Sequence, residues 1–219
     1  MITTDQHPVA QLCTVSKIKM GRLIASVFVT IDGMVADSRN EIIWALRAYN
    51  EEMSKEIERE QEQTGMMIFG RKTYQILSDY WADYSNDTSI RRLMLDTEKV
   101  VFSTTLTDVS WKNTTVISRI TRQVVLELKR STDRMITVIG SPMVLQQLTN
   151  LGLIDEYRLF LFPVVLGSGK PLFSRSITRS RDFQLTSARI LQSGVIALRY
   201  RTLTMESGSM NSTLIKENI

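Results

Sequence analysis

Cysteine and histidine are almost absent from this chain of 219 residues, which contains one of each. Cys13 has no partner for a disulfide within the chain, and Cys13 and His7 together offer too few ligands for a cysteine- or histidine-based metal cluster. A chain without structural disulfides suits a reducing compartment. The sequence therefore predicts a cytoplasmic protein without a metal site, and it excludes zinc-dependent deaminase chemistry.

Long apolar runs and blocks of like charge are also missing. No stretch approaches the roughly 18 consecutive apolar residues of a membrane span, and residues 1–19 lack the apolar core of a secretory signal. Lysine and arginine exceed aspartate and glutamate by only 27 to 23, giving a net charge of +4, and the cations are scattered. These features exclude a membrane protein and favour anionic small molecules as ligands. A nucleic-acid binder is one functional hypothesis, but only the net charge favours it.

The chain does contain an alternation of apolar strand patterns and amphipathic helix patterns. Its 43% hydrophobic residues suffice for the core of one domain. Four strand and helix pairs followed by strands alone predict an α/β domain with a mostly parallel sheet, which a C-terminal antiparallel hairpin extends. We expect this domain at residues 21–205, with a flexible leader at 1–20 and a flexible tail at 206–219. The predicted strands are "RLIASVFVTI", "MMIF", "KVVFS", "MITVIG", "DEYRLFLFPVVLG" and the two halves of "FQLTSARILQSGVIALRYRTL".

The helix boundaries follow from residue types that cap or end helices. Asparagine or serine before a periodic segment predicts a start, proline suits the first helical position, and glycine after the last periodic residue predicts a stop. The predicted boundaries are residues 51–63 for the first helix, a start near Lys72 for the second, Ser118 as cap of the third, and Ser141, Pro142 and Gly152 for the fourth.

Three predicted strands are followed by glycine, cationic or hydroxyl residues where a helix or loop begins. Ligands of open α/β sheets bind at the carboxyl ends of strands, and a helix N-terminus there favours an anion. Two such phosphate sites suggest a dinucleotide, and Arg71 and Lys72 suit the additional 2′-phosphate of NADP. A simple turn explains each glycine equally well when it is considered alone. The segments are Gly70, Arg71, Lys72 and Thr73; Ser103, Thr104 and Thr105; and Gly140, Ser141 and Pro142.

These segments resemble the dihydrofolate-reductase-like family, in the branch that shares its domain with the riboflavin-biosynthesis reductase. The likeness extends from about residue 22 to residue 203, and "VIGSPMVLQQLTNLGLIDEYRLFLFPVVLGSGKPLF" is its strongest part. Shorter matching segments are "SVFVTIDGMVAD", "IFGRKTY", "VVFSTTL" and "SGVIALRY". The resemblance implies a three-layer α/β fold, a homodimer, and an NADPH-dependent reductase that transfers a hydride to a small pterin-like or pyrimidine-like heterocycle.

The same resemblance implies which residues contact NADPH. A flexible turn explains the last pair, Gly167 and Gly169, equally well. The implied contacts are Gly70, Arg71, Lys72 and Thr73 for the adenosine end and its phosphates; Ser103 and Thr104 for the 2′-phosphate or adenine; Gly140, Ser141, Pro142, Met143 and Val144 for the pyrophosphate; and Gly167 and Gly169 for a turn beside the active cleft.

Asp32 and Trp44 are the candidates for catalysis. Asp32 ends a buried strand before a loop that contains glycine, so a partly desolvated carboxylate there would have a raised pKa and could protonate or anchor a ring nitrogen. Trp44 could stack on the nicotinamide or the substrate. The alternatives are a turn for Asp32, because an aspartate before glycine is common in turns, and a core or lid anchor for Trp44.

Two features, one at Glu51 and Glu52 and one at Ile139, distinguish this chain from the families that it resembles. Glu51 and Glu52 begin the helix on which dihydrofolate reductases carry a pterin-binding carboxylate, but the helix dipole explains acids there equally well. Ile139 stands where the riboflavin enzyme has a glutamate. We therefore expect neither folate nor the riboflavin intermediate as the substrate. A second hypothesis keeps the fold without the chemistry, as a non-catalytic nucleotide-binding or sensory module.

Overall fold

The computed structural model describes residues 20–85, 88–173, 177 and 180–203. The predicted tail and nearly all of the predicted leader lie outside these residues, as do Cys13 and His7. Within the described residues the strands are β1 (Leu23–Thr30), β2 (Met34–Ala36), β3 (Thr64–Gly70), β4 (Glu98–Phe102), β5 (Thr114–Ile117), β6 (Met135–Val138), β7 (Glu156–Phe162), β8 (Lys170–Pro171), β9 (Phe183–Ile190) and β10 (Ile196–Thr202).

Eight of these strands form one sheet in the order β5-β4-β3-β6-β1-β7-β10-β9, and β2 pairs with β8 in a separate antiparallel ribbon. The first six strands in this sheet order, β5, β4, β3, β6, β1 and β7, run parallel to one another. Strand β10 is antiparallel to both β7 and β9. The predicted α/β fold, with its mostly parallel sheet and its antiparallel C-terminal pair, is confirmed.

The helices of the described residues cover both faces of the sheet. On β3, Met66 and Ile68 pack into one core cluster and Met67 and Phe69 into another, so the two clusters lie on opposite faces. This double coverage explains why the strands are apolar without alternation. The helices are α1 (Ile43–Leu46), α2 (Glu51–Gln61), α3 (Arg71–Asp83), α4 (Ser89–Asp96), α5 (Arg122–Arg130) and α6 (Pro142–Leu151).

Helix boundaries agree with the sequence where the signals are local. Helix α6 begins at Pro142 and ends before Gly152, which adopts the left-handed conformation with φ of 67°. The prediction that Ser118 caps α5 is wrong, because the side chain of Thr121 accepts the hydrogen bond from the Val124 N–H. Helix α2 is two residues shorter than predicted, because it ends at Gln61.

Other differences concern β7 and the small elements. The predicted strand continued to Gly167, but β7 ends at Phe162, because Pro163 has no N–H with which to extend a ladder. Helices α1 and α4 and the ribbon of β2 and β8 were not predicted. No helix in the described part of the chain has the length and apolar character needed to cross a membrane.

Candidate functional site

One cleft of about 600 Å³ opens where four adjacent strands end. Strands β5, β4, β3 and β6 are neighbours and run parallel, so their carboxyl ends open at the same edge of the sheet. The loop after each of these strands contributes residues to the lining. This is the position at which open α/β sheets bind ligands.

Two helix N-termini at the cleft have no side-chain cap. Helix α3 begins after Gly70 and helix α6 after Ser141, and neither residue's side chain accepts a first-turn N–H. By contrast, Asn50, Thr88 and Thr121 cap α2, α4 and α5. Uncapped first-turn N–H groups and the positive end of the helix dipole both favour an anion.

The charged side chains that line the cleft are all cationic. They are Arg71, Lys72, Arg119 and Lys170, and no aspartate or glutamate is among the described residues of the lining. None of the four forms an ion pair with another described residue, and Arg71 makes one hydrogen bond, a donation to the Gln75 side chain at 3.3 Å. The cleft therefore presents unneutralised positive charge, which suits a phosphorylated ligand.

Most of the predicted cofactor residues share this cleft. The lining includes Gly70, Arg71, Lys72 and Thr73, then Ser103 and Thr104, and then Ser141, Pro142, Met143 and Val144. Gly140, Gly167 and Gly169 lie outside the lining that the structure describes, so their contact with a cofactor stays a prediction.

The glycines at the ends of β3 and β6 allow the two strand ends to touch. A Cβ on Gly70 would lie 2.7 Å from the Cβ of Ser141, and a Cβ on Gly140 would lie 3.2 Å from the hydroxyl oxygen of Thr73. The Gly70 N–H also donates to the Gly140 carbonyl at 3.1 Å. The direction that a Cβ would take at each of these glycines is thus filled by protein, and contact of a phosphate with them stays a prediction.

Asp32 joins two loops. Its Oδ1 accepts a hydrogen bond from the Thr30 hydroxyl, and its Oδ2 accepts the N–H groups of Leu166 at 3.1 Å and Gly167 at 2.8 Å. The hydrogen bond from Thr30, followed by that from Gly167, lowers the pKa of Asp32 below its ordinary value. The expectation of a raised pKa is wrong, because donors rather than apolar groups surround the carboxylate.

Trp44 is a residue of α1, and its side chain is buried in the core and only 6% exposed. Its ring contacts Phe162 edge to face, with 5.2 Å between centroids, in a cluster that includes Met53 and Phe160. The structure therefore gives Trp44 a packing role, and stacking of its ring on a ligand stays a prediction.

The acids at the start of α2 make contacts within the protein. Glu51 pairs with Lys55 at 2.6 Å, and Glu52 accepts the Gln192 N–H at 2.7 Å. Neither belongs to the described lining of the cleft.

Sequence reasoning missed part of the lining. Four of the missed lining residues follow β5, a strand that is absent from the predicted set: Ser118, Arg119, Ile120 and Thr121. The available signal was "TTVIS", a β-branched run that ends in hydroxyl and cationic residues as the other strands do. The other residues that were missed are Asn40, Phe102, Gln147 and Lys170, whereas Thr105 belongs to one of the predicted strand-end segments.

Comparison with known proteins places this chain among relatives of similar architecture. The putative riboflavin biosynthesis protein of Shewanella sp. PV-4 has a similar structure, with a TM-score of 0.68 and 19% identity, and the match covers 84% of this chain and 99% of that one. A dihydrofolate reductase of Enterococcus faecalis, solved with NADP(H) and RAB-propyl, gives a TM-score of 0.54 and 12% identity over 84% of this chain and 95% of that one.

The sequence itself is 27% identical over 188 residues to the uncharacterized protein YyaP of Bacillus subtilis (strain 168), which covers 84% of this chain and 97% of YyaP. The family model for the RibD C-terminal domain matches residues 22–197. That match takes in the whole cleft and all but the last residues of the sheet. The chain belongs to the RibD C-terminal domain family, as its resemblance predicted.

Proposed function

We propose that this protein is an NADPH-dependent reductase that transfers a hydride to a small pterin-like or pyrimidine-like heterocycle. The observation that carries the proposal is the cleft itself. A single cavity joins four strand ends and two uncapped helix N-termini, and its charged side chains are cations only in the part of the chain that the structure describes. A molecule with several phosphates along its length matches these features better than a neutral ligand.

The side chains present fit the adenosine end of such a cofactor. Arg71, Lys72 and Arg119 supply the fixed cations that a 2′-phosphate requires, and Ser103 and Thr104 supply hydroxyl donors beside them. The uncapped start of α6 suits the pyrophosphate. When bound, the nicotinamide supplies the hydride, and the protein contributes orientation and electrostatics.

The comparisons support a reductase of this kind. The family is that of a reductase domain, and the E. faecalis relative binds NADP(H) on the same fold. At 12% identity that relative supports the fold, so the cofactor is proposed here from the cleft. The protein's own substrate is proposed only as a class.

Titration of NADPH and NADH, followed by nicotinamide fluorescence, tests the cofactor assignment. We expect a dissociation constant for NADPH in about the micromolar range and weaker binding of NADH. Arg119→Gln should weaken NADPH about tenfold and leave NADH unchanged, because only NADPH carries the phosphate that the guanidinium would pair with. The matched control is Arg130→Gln at the exposed far end of α5. Absence of binding of both nucleotides by the wild type would contradict the proposal.

A non-catalytic nucleotide-binding or sensory module is the alternative, and two observations favour it. No carboxylic acid is in the described lining, and the lowered pKa of Asp32 keeps that group ionised. NADPH is incubated with the protein and a panel of pterins and pyrimidines, and the near-ultraviolet absorbance of reduced nicotinamide is followed. A loss of that absorbance would identify an enzyme. Tight NADPH binding without oxidation across the panel would favour the module.

We also propose that two copies associate through an uncovered face of the sheet. Ile190 pairs with Ile196 and Leu185 pairs with Tyr200, so these side chains share one face. Ile190 is 76% and Leu185 51% exposed at the edge of this apolar surface. Exposed apolar surface of this kind marks association sites.

The oligomeric state tests this association directly. We expect a dimer in sedimentation experiments for the wild type and a monomer for the double variant Leu185→Glu, Ile190→Glu. Gln184→Glu on the opposite face of β9 is the control that should remain a dimer. A monomeric wild type would contradict the homodimer.

A further inference from the structure

The loop between β4 and β5, residues 103–113, lines the cleft at one end and enters the core at the other. Residues 103–105 belong to the lining of the cleft. Trp111, near the far end of the loop, is buried in a core cluster with Phe69 and Tyr74. The proposed cofactor contacts explain the first end of this loop and leave the buried end unexplained.

Tyr74 connects this loop to the start of α3. It lies on the first turn of the helix and is 1% exposed. Its hydroxyl accepts the Trp111 N–H at 3.0 Å, and the two ring centroids are 5.9 Å apart. The ring of Phe69, at the end of β3, lies 6.0 Å from the same indole. Trp111 therefore contacts the chain on both sides of Gly70, after which α3 begins.

Lys99 of β4 holds Trp111 through its charge. The Lys99 side chain is fully buried, and its ammonium nitrogen lies 4.7 Å from the centroid of the indole ring. The ammonium also donates to the carbonyl of Lys112, the residue after Trp111, at 3.2 Å, and to two further main-chain carbonyls. A desolvated cation attracts an aromatic face strongly. Trp111 is therefore held by a charge on β4 and by a hydroxyl on α3.

These contacts connect the two segments that we assign to the 2′-phosphate. Arg71 and Lys72 line the cleft from the first turn of α3, and Ser103 lines it from the loop. The Ser103 hydroxyl accepts the Leu106 N–H at 3.0 Å, and Leu106 packs against the cluster that contains Trp111. A phosphate that contacts both segments at once requires a fixed spacing between them, because small displacements of a binding group weaken binding.

We propose that Tyr74, Trp111 and Lys99 are positioning residues that set the spacing between α3 and the loop after β4, and thereby the preference for NADPH over NADH. None of the three is in the described lining of the cleft, so they act through Arg71 and Ser103 and not by touching the cofactor. This inference rests on the proposed function, because it assigns the 2′-phosphate to these two segments. Only NADPH carries that phosphate, so a looser spacing weakens NADPH more than NADH.

The variant Tyr74→Phe tests this role, because it keeps the ring and removes only the hydroxyl that accepts the Trp111 N–H. Both nucleotides are titrated by nicotinamide fluorescence. We expect the ratio of the NADH to the NADPH dissociation constant to fall about fivefold. The matched control is Tyr157→Phe, whose equally buried hydroxyl shares a hydrogen bond of 2.7 Å with Thr149 away from the cleft. The control should lower the melting temperature to a similar extent and leave the ratio unchanged.

A second variant and a second readout make the test independent of that single substitution. Lys99→Met keeps the length of the side chain, removes the ammonium, and should lower the ratio in the same direction. Hydrogen exchange of the ligand-free protein measures the loop directly. The peptide that contains Leu106 should exchange faster in Tyr74→Phe and Lys99→Met than in Tyr157→Phe, because only the first two release Trp111.

The possible results separate this inference from the proposed function. A Tyr74→Phe variant with a lowered melting temperature and an unchanged ratio would show that these contacts are structural only. Equal weakening of both nucleotides would also overturn the inference, as would a wild type that does not distinguish them. A wild type that binds neither nucleotide contradicts the proposed function and this inference with it.

Discussion

The cleft and the interface between α2 and the C-terminal hairpin use charge in opposite ways. In the cleft, four cations lie without acidic partners among the described residues. At the interface, carboxylates of α2 meet arginines of β9 and β10: Glu56 pairs with Arg189 and lies 3.9 Å from Arg199, which also donates to Glu60 at 3.3 Å. The comparison teaches that arginine by itself indicates nothing about function in this protein. The presence or absence of a neutralising partner distinguishes a structural cation from a ligand-binding one.

The interface continues into the sheet as a chain of pairs. Arg158 donates to Glu156 at 2.7 Å and to the main-chain carbonyl of Glu60 at 2.8 Å, and Arg22 pairs with the same Glu156. Burial raises the pKa of Glu60 despite the nearby Arg158 and Arg199. Groups this well buried stabilise the fold only while each partner is present.

The largest expected effect is on stability at the interface. Glu56→Ala removes the carboxylate that serves Arg59 and Arg189, and its side chain is only 6% exposed. We expect the free energy of unfolding to fall by about 3 kcal/mol, because the buried carboxylate accepts two charge-assisted hydrogen bonds, although its partners Arg59 and Arg189 are themselves 55% and 44% exposed. Urea denaturation measures the loss. Glu51→Ala, which breaks an exposed pair on the same helix, should leave the midpoint nearly unchanged. A similar midpoint for both variants would remove the distinction between the two regions.

In the cleft, by contrast, we expect substitutions to reduce ligand affinity and to leave the stability of the fold nearly unchanged. The double variant Arg71→Gln, Lys72→Gln should weaken NADPH about a hundredfold, with a shallower dependence of binding on salt, while the urea midpoint stays near that of the wild type. Neither side chain has an acidic partner among the described residues whose loss would destabilise the fold. Fluorescence titration and denaturation of the same preparation measure both quantities. A destabilised variant with unchanged affinity would show that these cations are structural.

Lys99 is a buried cation whose hydrogen-bond partners are carbonyl groups and not carboxylates. Its ammonium donates to the carbonyls of Leu95, Thr97 and Lys112 at 3.0, 2.7 and 3.2 Å, and it lies 4.7 Å from the centroid of the Trp111 ring. Lys99→Met should cost about 2 kcal/mol of unfolding free energy, because these carbonyls lose their donor. Lys112→Met, at an exposed position, is the control for the loss of a lysine. An unchanged midpoint for Lys99→Met would contradict this role.

The same lysine predicts a dependence on pH. Burial lowers the pKa of Lys99 from its ordinary 10.5 to about 8. Between these values the unfolded chain keeps a proton that the folded chain has released, so the stability contributed by Lys99 rises with pH and is lost as pH falls toward 8. Melting temperatures of the wild type and Lys99→Met between about pH 7 and 10 measure it. Parallel curves for the two proteins would contradict the lowered pKa.

The smallest expected effect is at Asp32. Asp32→Asn weakens the acceptor for the Gly167 and Leu166 N–H groups and should lower the melting temperature slightly, with little change in NADPH affinity. Because the pKa of Asp32 is lowered, its contribution is present at neutral pH and disappears only as pH falls below the ordinary carboxylate range. Equal acid sensitivity of the variant and the wild type would contradict the loop-joining role.

Local signals explain what the sequence predicted well. Pro142 and Gly152 bracket α6 through their own backbone preferences, and the apolar runs of β1 and β3 require cover on both faces wherever they lie. Asp32 is different, because two of its three donors come from residues 134 and 135 positions later in the chain. Arg119 and Lys170 reach the cleft only through sheet order and through the ribbon of β2 and β8. No local sequence pattern encodes contacts between residues that lie so far apart in the chain.

The contact between Gly70 and Ser141 has a practical consequence for anyone who redesigns this protein. A Cβ at position 70 would lie less than 3 Å from the Ser141 side chain. Every other residue type there would therefore push the starts of α3 and α6 apart and change both sides of the cleft. Variant libraries that aim to change nucleotide preference should therefore keep Gly70 and Ser141 and vary the long side chains that line the cleft around them. A successful variant should retain the contact between Gly70 and Ser141.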